Sequence, residues 1–144
     1  MTFTTCLFVM LGGALGTLSR YLVTVATAPY SRIMPWGTIL PINAVGSFII
    51  GFFGTLTLAH GRFPVSENMR LFVMVGFCGG YTTFSSFSLQ SLDLLRSGAW
   101  GRAALNIVLS ALLCLGAVSL GHMTASKLNG GAFQIAQTET EEDA

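Results

Sequence analysis

The sequence predicts an all-α integral membrane protein with four transmembrane helices. Of its 144 residues, 52% are hydrophobic and 9% are charged, whereas a soluble domain carries about a quarter charged residues. Each of four apolar runs reaches the length of about 20 residues that a spanning helix needs, and short segments rich in turn residues separate them. We assign 1–127 to a four-helix transmembrane domain and 128–144 to an acidic, disordered tail. The predicted spans are 4–27, 38–59, 69–95 and 102–124.

The first two spans each carry a polar face. The first lacks the cationic start and cleavage site of a signal peptide, so we expect it to be retained. Residues four apart share a helix face, which groups Gly12, Gly16 and Arg20 on the first span. Asn43 and Ser47 share a face of the second span. Small residues allow close helix packing, whereas an arginine or asparagine inside a bilayer by default marks a pathway or site.

The third span contains the string GFCGGYTTFSSFS at 76–88, which places glycines and five hydroxyls inside an apolar run. We expect Gly79 and Gly80 to break this helix. Broken backbone at membrane depth persists only where it is buried in protein or lines a wet cavity. The break would leave carbonyl oxygens without helical partners, and such oxygens can bind a hard cation such as Na⁺.

After the predicted break, Phe84 and Phe87 are three residues apart and share a helix face. An aromatic ring is positive at its edge, so two edges aimed at one place offer a weakly attractive, water-excluding site for a small anion. The hydroxyls beside the rings, on Ser85 and Ser86, can donate hydrogen bonds to such an ion. The alternative is that both rings only pack, which is the usual role of phenylalanine. The dense hydroxyl setting favours the anion site.

The fourth span aligns Asn106, Ser110 and Cys114 on one face. Across all spans the deep polar groups are hydroxyls, amides and one arginine. No glutamate lies in any span, and Asp93 stands near the end of the third. A cation or proton carrier would need a central carboxylate, so this donor-rich set favours an anion. The three cysteines lack metal-ligand spacing and indicate packing residues.

The Lys and Arg residues outside the spans are almost evenly divided between the two sides of the membrane. The side of the termini holds Arg62, Arg70 and Lys127, and the other side holds Arg32, Arg96, Arg102 and, if it reaches the interface, Arg20. The positive-inside rule acts on this difference. Two outcomes follow: a weak bias toward one orientation, or insertion in both orientations and assembly as an antiparallel dimer.

Three strings, GGALGTLSRY, NAVGSFIIG and GFCGGYTTFSSFS, closely resemble the Fluc (CrcB) family of fluoride channels, and the resemblance covers about residues 5–124. It implies an antiparallel, dual-topology homodimer in the cell inner membrane, with the third helix broken where the subunits cross. Such proteins conduct F⁻ passively through two pores and so lower cytoplasmic fluoride. They hold a structural Na⁺, which is not transported, at the dimer centre.

By position in these strings, the resemblance also implies roles for single residues. Backbone carbonyls of Gly79 and Thr82 would bind the Na⁺; Asn43, Phe84, Phe87 and Ser110 would line the pore; Arg20 would lie near its vestibule. The chain departs from the family pattern in three places. Gln90 replaces a usual glutamate, Cys114 replaces a common serine, and the segment 36–42, with Pro41, is one residue longer.

Two other classes of membrane protein fit less well. A small multidrug-type proton-coupled transporter also has four helices, but it needs a glutamate in its first span, and this span has no acid. A non-transporting membrane assembly subunit would explain the small-residue faces but not the hydroxylated third span. An intramembrane enzyme is the weakest alternative, because no Ser/His or Asp pair is placed for catalysis and His60 and His122 stand at span ends.

Overall fold

The computed structural model describes residues 2–58 and 61–130, and no residue in this part of the chain lies in a strand. A single 3₁₀ turn, Ala28–Tyr30, follows the first helix. The third helix joins three segments, Glu67–Arg70, Leu71–Cys78 and Gly79–Tyr81. The helices are α1 (Phe3–Thr27), α2 (Thr38–Leu56), α3 (67–81), α4 (Phe84–Arg96) and α5 (Trp100–Leu128).

The described helices confirm a multi-pass membrane protein. Three of them are long and apolar enough to cross a membrane: α1 with its terminal turn has 28 residues, α2 has 19 and α5 has 29. The third predicted span, 69–95, is divided between α3 and α4. Helix α5 ends at Leu128, which is the first residue of the predicted tail. The remainder of that tail, 131–144, and His60 lie outside the described residues.

The interruption of the third span lies two residues beyond the predicted break. Gly79 is helical, with φ −63° and ψ −37°, and Gly80 lies within the same helical segment. The extended residues are Thr82, at φ −75° and ψ 158°, and Thr83, at φ −150° and ψ 111°. The expected break at Gly79 and Gly80 was therefore misplaced. The physical reason at Gly80 is packing, because a glycine there lets two backbones approach.

Two pairs of helices are packed through glycines. A Cβ atom added to Gly12 or Gly16 of α1 would overlap backbone carbonyls of α3, and one added to Gly80 would overlap the Gly13 carbonyl of α1. The same holds for Gly51 of α2 and Gly121 of α5, which meet backbone atoms of each other's helix. These close approaches confirm that the glycine faces serve helix packing. They join α1 to α3 and α2 to α5.

The start of α2 is wound as a π-helix over Thr38–Ala44, with Pro41 inside it. Proline has no backbone N–H and cannot donate the usual i→i−4 bond. A π-helix takes one residue more per hydrogen-bonded turn than an α-helix, which suits a segment that is one residue longer than the family pattern. The Tyr81 hydroxyl donates to the Pro41 carbonyl. This bond ties the end of α3 to the π-helical turn.

The other end of α2 is capped by an arginine. Nη1 of Arg70 donates to the Gly54 carbonyl at 3.1 Å, and to the carbonyl and hydroxyl oxygens of Thr57, both at 2.7 Å. The last carbonyls of a helix have no partners within the helix, and a cation is favoured there by the helix dipole. Arg70 thus fixes the C-terminal end of α2 against the start of α3.

Candidate functional site

A cavity of about 570 Å³ lies between α2, the α3–α4 break and α5. We call it the phenylalanine cavity, because Phe84 and Phe87 line it. It brings together six of the residues that the sequence selects: Asn43, Gly79, Thr82, Phe84, Phe87 and Ser110. The other described lining residues include Ser47, Met74, Cys78, Thr83 and Cys114. None of the described residues that line this cavity carries a formal charge.

Asn43 closes the break by binding the backbone of Thr83 with both ends of its amide. The Thr83 N–H donates to Asn43 Oδ1 at 2.8 Å, and Asn43 Nδ2 donates to the Thr83 carbonyl at 3.1 Å. The pair supplies the hydrogen bonds that an extended residue loses when it leaves the helix. The second N–H of the Asn43 amide is not used in this pair of hydrogen bonds. Asn43 also lines the cavity.

Thr83 also begins the next helix. Its side-chain oxygen accepts the N–H of Ser86 at 3.2 Å, as an N-cap residue does. The Thr83 hydroxyl donates to Ser86 Oγ at 3.0 Å, and its oxygen lies 3.3 Å from Ser85 Oγ. Ser85 and Ser86 were both predicted to line a pore. The structure places them around the cap instead, outside the set of residues that line the cavity.

Because of the break, the backbone carbonyls of Gly79 and Thr82 do not accept the hydrogen bonds that a continuous helix would give them. In a continuous helix, the N–H of Thr83 would bond to the Gly79 carbonyl, and the N–H of Ser86 to the Thr82 carbonyl. Here the first N–H bonds to Asn43 and the second to the Thr83 hydroxyl. Both carbonyls therefore lose their i+4 partners, and both residues line the cavity. These are the oxygens that the sequence selects for Na⁺.

A hard cation at the break would have to use such neutral oxygens. Among the residues that the structure describes, no group of three or more His, Cys, Asp or Glu side chains could hold a metal ion. Carbonyl oxygens are suitable ligands for hard cations. The two released carbonyls thus fit the predicted ligand type, and a complete coordination shell needs further oxygens from elsewhere.

The two phenylalanine rings stand next to each other at the start of α4. Their centroids are 5.3 Å apart and their planes are inclined by 45°. Phe84 is 78% exposed and Phe87 is partly buried. Each carbonyl accepts a hydroxyl four residues later, Phe84 from Ser88 at 2.9 Å and Phe87 from Ser91 at 2.8 Å. The prediction that the rings share one face is therefore confirmed.

Helix α5 reaches the backbone of Phe87 through a buried relay. Asn106 has no exposed surface, and its Nδ2 donates to Ser91 Oγ at 2.8 Å. Ser91 in turn donates to the Phe87 carbonyl. Because the Ser91 proton is used there, its oxygen must accept from Asn106, and the orientation of the amide is fixed. Asn106 Oδ1 is left buried without a partner among the described residues.

Ser110 lies one turn further along α5 and lines the cavity. Its side chain is 6% exposed, and its Oγ has no hydrogen-bond partner in the described part of the chain. A buried hydroxyl without a partner costs about 1–3 kcal/mol. A guest in the cavity that accepts or donates a hydrogen bond would remove that cost.

Gln90 faces a second cavity of about 420 Å³, at the end of the bundle. Its Nε2 donates to Thr38 Oγ1 at 3.0 Å. The lining also includes Arg32, Asp93 and Arg102. Asp93, the acid near the end of the third predicted span, therefore lines this second cavity and not the phenylalanine cavity.

Besides Ser85 and Ser86, two further predicted site residues do not line the phenylalanine cavity. Arg20, on α1, is partly buried, and Gly80 packs against α1. The roles of Thr83 and of the Asn106–Ser91 relay were not predicted from the sequence. Thr83 carries a readable signal, because a threonine directly before an apolar helical run is a candidate N-cap. The relay carries none, since it joins residues on two different helices.

The site therefore offers a neutral, donor-rich cavity beside a broken helix. Amide and hydroxyl groups line it together with the phenylalanine rings, and no described carboxylate does. Ring edges and hydrogen-bond donors favour a small anion. The released carbonyls at the break favour a cation. The rings and the released carbonyls belong to the same short segment, 79–87, whereas Asn43 and Ser110 reach the cavity from α2 and α5.

The chain matches a known protein family over most of its length. The family described as CrcB-like protein, Camphor Resistance (CrcB), matches residues 7–122. A protein of Gluconobacter oxydans named fluoride-specific ion channel FluC is 74% identical over 144 residues, covering 100% of both chains. A protein of the same name from Methylobacterium radiotolerans is 68% identical, and the match covers 99% of both chains. Another from Opitutus terrae is 56% identical, and the match covers 85% of this chain and 93% of the relative.

Proposed function

Because the chain belongs to the CrcB family, we propose that it is a fluoride-specific ion channel, and not an enzyme, that lowers cytoplasmic fluoride by passive F⁻ export. The observation that carries this proposal is the uncharged, donor-rich cavity beside Phe84 and Phe87. An ion channel needs binding groups that replace hydration without holding the ion tightly. Ring edges and neutral donors have this character.

The residues proposed to contact F⁻ are those that line the cavity. The Phe84 and Phe87 ring edges would face the ion, and Ser110 Oγ and the remaining Asn43 N–H would donate to it. Ser110 fits this role because its buried hydroxyl lacks a partner among the described residues. Ser85 and Ser86 contact the Thr83 hydroxyl, so they would act on the path through the cap of α4. Arg20 would attract F⁻ from outside the cavity.

The proposed channel is an antiparallel homodimer in the cell inner membrane, with two pores. Three observations support a second copy at the break. Phe84 is 78% exposed in the single chain, Gly79 is exposed, and a Cβ atom added to Gly79 meets no atom within 4 Å. The near balance of Lys and Arg between the two sides gives insertion in both orientations a physical cause.

A structural Na⁺ is proposed at the dimer centre, bound by the carbonyls of Gly79 and Thr82 from both copies. Each copy offers two carbonyls whose helical donors are diverted, so two copies would offer four neutral oxygens. Na⁺ bound there would hold the two breaks together. It would not be carried through the pore.

The test of channel function is anion efflux from proteoliposomes. Liposomes loaded with F⁻ should empty when the protein is present and a K⁺ shunt is supplied, whereas liposomes loaded with Cl⁻ should not. Liposomes prepared without protein should retain F⁻, which controls for leakage. Comparable Cl⁻ and F⁻ rates would contradict the proposed selectivity.

The test of dual topology is a reporter fused to the C-terminus. It should appear on both sides of the membrane in comparable amounts. Adding two or three lysines to one loop should direct the chain to one side and reduce F⁻ flux, which co-expression with an oppositely biased variant should restore. A single native orientation with full flux would rule out the antiparallel dimer.

A further inference from the structure

Two of the three cysteines lie on the phenylalanine cavity, although neither was given a role. Cys78 comes from α3 and Cys114 from α5, and both line the cavity together with the thioether of Met74. All three cysteines are free thiols, and Cys6 is exposed elsewhere, on α1. Soft sulfur atoms are thus present among the hydroxyl, amide and apolar groups that line the cavity.

The two cavity thiols differ in access. Cys78 is 1% exposed, and a thiol buried in this way is inert to reagents. Cys114 is only partly buried, one helical turn beyond Ser110 on the same face of α5. The Ser110 hydroxyl is more than nine-tenths buried, lines the cavity and has no partner among the described residues. It is a second, independent sign that a small guest occupies this space.

We propose that Cys114 is a modification site for small thiophilic metal species, and that its occupation blocks the ion path. This proposal rests on the proposed channel function, because it places the block in the fluoride cavity. A soft metal prefers thiolate and thioether ligands over the hydroxyl and carbonyl oxygens around them. The thioether of Met74 lines the same cavity.

The reaction with methylmercury chloride is a ligand exchange without oxidation or reduction. The Hg–Cl bond breaks and chloride leaves, an S–Hg bond forms at Cys114, and the thiol proton passes to water. The product is a neutral S–Hg–CH₃ group. The group would therefore block F⁻ by its bulk and not by a change of formal charge. The modification can be reversed without reducing Hg, because an excess of a small thiol takes up the methylmercury.

The experiment uses the full chain in F⁻-loaded proteoliposomes, treated with methylmercury chloride. Each protein is compared with its own untreated flux, so that a variant with altered basal flux remains informative. We expect the flux of the wild type and of Cys6→Ala to fall by about tenfold or more, because a filled path cannot conduct. Cys78→Ala should fall equally, whereas Cys114→Ala should keep its own untreated rate. An excess of 2-mercaptoethanol should restore the blocked proteins.

Mass spectrometry of the treated proteins separates the two proposals. In Cys6→Ala, where the exposed thiol of Cys6 is absent, one methylmercury group should be found, on Cys114, and this result does not depend on F⁻ transport. If untreated protein moves no F⁻ while Cys114 is modified, the channel proposal fails and the modification site stands. A modified Cys114 with unchanged flux, or a block that persists in both Cys114→Ala and Cys114→Ser, would overturn the inference. Cys114→Ser also serves if the alanine variant does not fold.

Discussion

Replacing Asn43 with alanine should weaken the protein and stop F⁻ flux, because within 2–58 and 61–130 this amide makes both side-chain hydrogen bonds to the extended backbone of Thr83. The substitution removes an acceptor 2.8 Å from the Thr83 N–H and a donor 3.1 Å from its carbonyl. Thr83 is 7% exposed, so water cannot freely replace them. Each buried backbone group left unpaired costs about 1–3 kcal/mol. With both left unpaired, the loss is about 2–6 kcal/mol of unfolding free energy.

Two further variants separate stability from transport at this position. Ser47→Ala removes a polar atom one turn along the same helix face, and that hydroxyl makes no hydrogen bond within the described residues. It should change the unfolding free energy by less than about 0.5 kcal/mol. Asn43→Asp keeps an acceptor for the Thr83 N–H but sets a carboxylate oxygen against the Thr83 carbonyl. Its negative charge should also repel F⁻, so F⁻ flux should fall sharply even though the protein is less destabilised than Asn43→Ala.

The measurements are denaturant unfolding in detergent and F⁻ efflux from liposomes, on the same protein preparations. Stability should decrease in the order wild type and Ser47→Ala, then Asn43→Asp, then Asn43→Ala. Unchanged stability and unchanged flux in Asn43→Ala would show that the amide does not hold the break.

Three other perturbations test neighbouring features. Gly80→Ala should lower unfolding stability, because its Cβ would overlap the Gly13 carbonyl and crowd Thr17. Gly79→Ala should leave the single chain unaffected, because its Cβ meets nothing within 4 Å. Equal effects of the two variants in thermal melts would contradict this packing. Phe84→Ile and Phe87→Ile keep apolar bulk, so the unfolding free energy should change by less than about 1.5 kcal/mol while F⁻ efflux falls sharply. Efflux that persists would show that the rings serve only for packing. Replacing Na⁺ by N-methylglucamine should lower the dimer fraction and F⁻ flux, with a saturable Na⁺ dependence; flux that follows the Na⁺ gradient would indicate cotransport instead.

The membrane helices could be predicted from composition because each depends on one local property. A run of apolar residues long enough to span is visible without its partners, and the glycine faces of α1 and α2 follow from spacing alone. The bounds shifted by a few residues, to Phe3–Thr27 and Trp100–Leu128. The π-helical turn at Thr38–Ala44 could not be read this way, since a 3.6-residue period does not describe it.

The position of the break could not be predicted from the string around it. A glycine in a helix costs only about 1 kcal/mol relative to alanine, and at Gly80 the close approach of α1 offsets that cost. The residues that leave the helix are threonines, and the N-cap signal of Thr83 shows only where the next helix can begin, not that the preceding helix must end. The threonines leave the helix because Asn43, forty residues earlier, supplies both hydrogen bonds to Thr83. The decisive contact joins two spans, and no local pattern records it.

This contact also links the proposed cation site to the proposed anion path. While Asn43 holds the Thr83 N–H, the Gly79 carbonyl stays released and Phe84 begins a new helix. In Asn43→Ala, the same N–H can return to Gly79 and extend α3, which would recover part of the lost stability. The recovered helix would occupy the Gly79 carbonyl and move the rings. Asn43→Ala should therefore lose both F⁻ flux and the Na⁺ dependence of the dimer, whereas Phe84→Ile should lose only the flux. A flux-deficient Asn43→Ala whose dimer still depends on Na⁺ would show that the two sites are independent.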